Sequence, residues 1–139
     1  MANQYQMDVN AQIRDRLTSF LEVSSGVSSS PCPQYSSRTV RKFNFSEPYY
    51  VYSSLSTISN SFFGVNRNSI DSMISAGIDF GLLFISYANG KFYFYDKQQA
   101  LNLLSKVSTD STYGNYKIVL EDLSNPIDAP SLAQRFATL

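Results

Sequence analysis

Residues 53–87, SSLSTISNSFFGVNRNSIDSMISAGIDFGLLFISY, hold the reading on which the fold turns. Ser53 or Ser54 suits the cap of a helix running from Leu55 to Phe63. Leu55, Ile58, Phe62 and Phe63 would form its buried side. Gly64 permits the left-handed backbone that closes a helix. A second helix is expected from Asn68, where Asn68 and Asp71 approximate a capping box with Asp in place of Glu. Ile70, Met73 and Ile74 give that helix an apolar stripe, and Gly77 stops it. The run FGLLFISY then reads as a strand. The stretch is thus a helix-turn-helix-like segment leading into a sheet.

The strand continues into a hairpin signal, FGLLFISY-AN-GKFYFYD. Asn89-Gly90 is a favoured pair for a two-residue turn, whose central residues both need positive φ. Such a turn sets Ala88 opposite Lys91, Tyr87 opposite Phe92 and Ile85 opposite Phe94. Leu83, Ile85, Tyr87, Phe92 and Phe94 then share a core face. Phe84, Ser86, Tyr93 and Tyr95 share the other, whose three aromatics call for cover from a helix or a partner chain. Asp96 caps a following helix in KQQALNLLSKV, with Ala100, Leu101, Leu103, Leu104 and Val107 as its apolar positions. YKIVLED is a final strand with Tyr116, Ile118 and Leu120 on one side.

Upstream, DVNAQIRDRLTSFLEV (residues 8–23) carries Ile13, Leu17, Phe20 and Leu21 on one helical stripe. Residues 24–37 hold seven serines and two prolines, which cannot sustain a helix or a central strand, so they read as a linker. RTVRKFNF (38–45) and YYVY (49–52) read as strands separated by Pro48. From Ser124 the chain reads as an irregular tail, with a last helical turn at SLAQRFA. The expected architecture is α+β in a single small domain. Residues 1–37 form an N-terminal helix and linker, 38–123 the core, and 124–139 the tail.

Composition bounds the function. The chain has 139 residues and no net charge, with 11 basic and 11 acidic side chains. Charged residues make up only 16%, below the usual quarter, while aromatics reach 14%. Phosphate binding needs local Lys and Arg, and the balance is locally uneven. Arg38, Arg41, Lys42 and Arg67 stand against Glu47 alone between residues 38 and 67, beside the helix-turn-helix-like stretch. The chain contains no histidine, which excludes His-dependent triads and the usual zinc sites. GVNRNS lacks the Gly-Lys-Ser/Thr of a phosphate loop. Asp79, Asp96 and Lys97 do not make a paired-strand metal site, because neighbours on a strand face opposite ways. The lone Cys32, in Pro-Cys-Pro, cannot form an internal disulfide. The expected protein is therefore non-enzymatic, without cofactor or metal. No secretory signal or membrane span is evident, which favours an intracellular setting.

In a helix-turn-helix the second helix presents its N-terminal residues to duplex DNA. Here it would offer Arg67, Asn68, Ser69 and Ser72. Arg pairs bidentately with guanine and Asn with adenine. Arg38, Arg41 and Lys42 would add backbone contacts. The matching residues Ser54, Phe63, Gly64, Val65, Asn66, Arg67, Asn68, Ser69, Ile70, Ile74, Gly77 and Phe84 carry a resemblance. The segment resembles the small DNA-binding repeat appended to intron-encoded homing endonucleases, over about a quarter of the chain. That resemblance implies DNA contact by Arg67, Asn68 and Ser69. It departs from the pattern at Phe63, in scarce lysine, and in having no accompanying nuclease domain. A second class fits the low charge and abundant Tyr and Phe: a structural or assembly subunit, of phage or organelle type, binding protein partners or its own copies through aromatics and tails.

Overall fold

The structure, a computed structural model, describes residues 4–56, 62–86, 89–109 and 114–139, with side chains from residue 9 onward. Its elements run α1 (Gln4–Ser25), β1 (Ser29–Cys32), β2 (Ser36–Phe43), β3 (Tyr49–Leu55), β4 (Phe62–Val65), α2 (Arg67–Ser75), β5 (Phe80–Ile85), β6 (Phe92–Tyr95), α3 (Lys97–Leu104), β7 (Tyr116–Val119) and α4 (Ala129–Ala137). The fold is α+β in a single small domain, as the sequence implies.

The main sheet has the order β1-β2-β3-β5-β6, and β4 pairs with β7 in a separate two-stranded sheet. β3 and β5 are parallel, while the other neighbours are antiparallel. All six residues of β5 are buried, as befits a parallel strand covered on both faces. Period-two alternation divides the side chains between two cores. Phe43, Val51, Leu55, Leu83, Ile85 and Phe94 pack under α1 and α4. Val40, Tyr52, Phe80, Leu82, Phe84 and Tyr93 pack against α2, α3 and the β4–β7 pair.

The first predicted helix of the 53–87 stretch is strand at both of its described ends, and residues 57–61 lie outside the described residues. Leu55 ends β3, and Phe62 and Phe63 belong to β4. Ile58 lies outside the described residues. Gly64 is a strand residue opposite Lys117, without positive φ. Phe63 is fully buried, edge-on to Phe84 at 5.4 Å. The second helix does form, but its cap is Asn66 rather than Asn68, with Asn66 accepting from the Ser69 N–H. Gly77 adopts φ 67° just beyond it, as a helix terminator does.

The hairpin keeps its faces but not its register. Ile85 pairs with Phe92 and Leu83 with Phe94, two residues off the expected pairing. Tyr87 and Ala88 lie outside the described residues. The Ser86 N–H donates to the Lys91 carbonyl at 3.0 Å, so a longer connection replaces the two-residue turn. A slip of two preserves which side chains point inward, whereas a slip of one would invert them. The second aromatic face is covered, with Phe84 and Tyr93 buried beneath the α3 layer. Asp96 caps α3 through a full capping box with Gln99.

Two segments read as peripheral are integral. The serine-rich 24–37 segment supplies β1, an edge strand, where Pro31 is tolerated because one side lacks a ladder. The tail supplies α4, capped by Asp128 and with Pro in its first turn. Leu132 and Phe136 are fully buried in the α1-side core. Phe136 meets Phe43 and Phe94 edge-on at 5.3 and 5.5 Å.

On β5, between β3 and the edge strand β6, Gly81 is required. A methyl group there would stand 2.6 Å from Tyr49 Oη, 2.8 Å from Phe94 Cζ and 2.9 Å from the Tyr95 carbonyl oxygen. The Tyr49 hydroxyl is buried without a hydrogen-bond partner among the described residues. Burial, with Asp79 and Asp96 adding to it, pushes its ionisation well above the ordinary phenol range. We expect Gly81→Ala to cost roughly 1–3 kcal/mol by overpacking, measured by urea denaturation. Phe136→Ala should cost about 3–5 kcal/mol in the same assay; an unchanged midpoint would mean that α4 is dispensable.

Candidate nucleic-acid interface

Three of the chain's arginines gather around the start of β2. β1 leaves this region unladdered: Pro31 pairs with Arg41, and the next residue, Cys32, pairs with Ser36. The β2–β3 ladder begins only at Val40. Residues 37–39 therefore lack a partner in either neighbouring strand. Such bulges re-aim side chains beside functional sites. Ser36 holds the bend locally, its Oγ accepting from Thr39 N at 3.3 Å and from Thr39 Oγ1 at 2.6 Å.

Two clefts meet at this bend. One, of about 590 Å³, lies between α1 and β2 and is lined by Arg14, Arg38, Arg41, Asp15, Thr18 and Ser53 among others. The second, of about 570 Å³, lies between β2 and α2 and is lined by Tyr35, Tyr52, Asn66, Asn68 and Ser72 among others. Ser37, Arg38 and Thr39 line both. α1 and α2 sit on opposite faces of the sheet, so the combined groove passes around the sheet's end. Tyr52 lies at the α2 side, its hydroxyl accepting from the Asn66 N–H at 2.9 Å.

The electrostatics of the α1 cleft are lopsided. Arg14 Nε donates to Ser53 Oγ at 3.2 Å. Burial lowers the Arg14 pKa from the ordinary guanidinium value, and Arg38 lowers it further while Tyr52 opposes. Arg41 is tied to β1, with Nε on Ser29 Oγ at 2.8 Å and Nη2 on the Ser29 carbonyl at 3.2 Å. Glu22 stands behind that contact, accepting from Ser29 N and Ser29 Oγ at 2.7 Å each. Arg38 is exposed and has no hydrogen-bond or carboxylate partner among the described residues.

The expected contact residues separate. Arg41 lines the α1 cleft, Arg38 lines both, and Asn68, Ser69 and Ser72 line the α2 cleft. Lys42 lines neither cleft; it is close enough to Cys32 to bear on its thiol, whose pKa is raised chiefly by burial. Ser69, expected to point outward, is buried: its Oγ donates to the Tyr35 carbonyl at 2.8 Å and lies 3.2 Å from Asn66 Oδ1. Arg67 is exposed but sits 3.8 Å from Asp71 on the same helix face, and it lines neither cleft. Ile74, expected inward, is 41% exposed. Arg14 was not anticipated, because only tertiary packing brings α1 beside β2.

Other candidate features have structural roles. Asp96 is a helix cap, and Lys97 Nζ donates to the Ile78 carbonyl at 2.8 Å. Among the described residues no group of three His, Cys, Asp or Glu could hold a metal ion. No helix there is long and apolar enough to cross a membrane. Of the FYFY run, Tyr93 and Phe94 are buried. The exposed large hydrophobics among the described residues, Phe20, Val23, Ile74, Val119 and Leu139, come from α1, α2, β7 and the C-terminus rather than from the hairpin. No protein-family model matches the chain, and no curated protein matches it in sequence.

Ser69 now reads as a structural residue. We expect Ser69→Ala to lower stability by roughly 1–2 kcal/mol, because it leaves the Tyr35 carbonyl without this donor. Urea denaturation measures it.

Proposed function

We propose that this protein is a non-catalytic nucleic-acid-binding module. Its contact surface is the groove around the start of β2, walled by α1 and by the N-terminal half of α2. The observation that carries the reading is Arg38, an exposed arginine at the junction of two polar clefts with no carboxylate partner among the described residues. An unpaired guanidinium in a concave polar setting attracts phosphate, and its planar fork matches phosphate oxygens. Asn68 and Ser72 on the same groove offer groups that hydrogen-bond base edges or sugars. The zero net charge fits a module that makes few phosphate contacts.

The test is fluorescence anisotropy with pooled single-stranded and duplex oligonucleotides across a salt series. Affinity should fall as salt rises. Arg38→Ala should weaken binding by about tenfold, the weight of one charge-assisted contact. Arg67→Ala should do less, because Asp71 already offsets that charge. Absence of binding to either pool at low salt would reject the reading.

A further inference from the structure

Resting on that reading, we propose that the nucleic acid is a single strand, and that one of its backbone phosphates seats in the α1–β2 cleft among Arg14, Arg38 and Arg41. Arg14 is the informative residue. It is half-buried and held by a neutral partner, Ser53, with no carboxylate within ion-pair distance among the described residues. Burial weighs on it most, Tyr52 partly offsets that, and Arg38, a like charge lining the same cleft, adds to it. A partly desolvated guanidinium beside a like charge is costly, and an anion between the two offsets that cost. Asp15 is the one carboxylate among the residues lining this cleft, and Glu22 reaches Arg41 only through Ser29. The cleft also carries hydroxyl donors at Thr18 and Ser37. Oxyanion recognition uses such donors alongside guanidinium forks.

Shape selects the single strand. The arginines lie inside a concave channel that bends around the sheet's end. Duplex readers instead lay a protruding helix or ribbon into a groove. Here the helix that would do so has Ser69 buried against the Tyr35 carbonyl and Arg67 held near Asp71. A flexible strand can follow the channel from Arg14 past Arg38 to the α2 cleft. There the channel is lined by Tyr35, half-buried and set edge-on to Tyr50 at 5.9 Å, an aromatic of the type on which bases stack.

The test uses the full chain and a labelled single strand of roughly a dozen nucleotides, against a duplex of the same length. Arg14→Gln removes the half-buried charge. Ala11→Glu adds a carboxylate from an exposed α1 position lining the same cleft, without touching the core. Both variants should weaken single-strand binding by roughly tenfold or more. Ala11→Glu should leave the melting temperature unchanged, so a folding defect in Arg14→Gln cannot decide the outcome. Arg16→Ala, outside the cleft, should have little effect. The plot of log affinity against log salt should have a slope of about −0.7, the value for one neutralised phosphate of a single strand. Duplex binding as tight as single-strand binding, or full affinity in Ala11→Glu, would overturn the inference while leaving nucleic-acid binding intact. Displacement of the strand by polyglutamate as readily as by unlabelled strand would overturn it too, by reducing the cleft to a charge trap. Failure of both nucleic acids to bind would instead remove the parent reading.

Discussion

The parallel pairing of β3 with β5 is the constraint from which the rest follows. Six consecutive register pairs, from Tyr50–Phe80 to Leu55–Ile85, join strands whose ends lie far apart along the chain. A parallel pair cannot close with a tight turn, so the chain must leave the sheet and return. The connection from Ser56 to Asp79 does this, and it carries β4 and α2 with it. A parallel strand at the middle of a sheet also needs cover on both faces. That demand recruits α1 and α4 on one side, and α2, α3 and the β4–β7 pair on the other. Gly81 lets Tyr49, Phe94 and the Tyr95 backbone close around the centre of this arrangement.

Local signals were legible where local chemistry decides. Asp96 and Gln99 form the capping box that opens α3 at the expected residue, and Gly77 ends α2 with a left-handed backbone. The hairpin's facing was legible because alternation survives a two-residue slip; its register was not, because Asn89-Gly90 sits inside a longer connection. Leu55, Phe62 and Phe63 suited a helix by spacing, yet they bury equally well as ends of two short strands. Tertiary pairing with β5 and β7 settles that choice, and no window of sequence contains those partners. The tail's helical turn was visible at SLAQRFA, but its place in the core depends on Phe43 and Phe94, distant in the chain.

The candidate site was half legible. Basic residues at Arg38 and Arg41, and polar ones at Asn68 and Ser72, stood out by type. What joins them is the unladdered bend at residues 37–39, produced by a mismatch between β1 and β2. Ser69 shows the opposite case: a polar residue in a promising motif, spent on holding the Tyr35 backbone. Zero overall charge therefore says little about this surface. Three arginines gather at one end of the sheet with Asp15 as the one carboxylate lining their cleft.

The bend at residues 37–39 has a mechanical consequence. α1 and α2 belong to different layers, with the sheet between them. The channel is where a single occupant reaches both. Anything lying along its full length acts as a cross-brace, tying the N-terminal helix to the connection that carries α2.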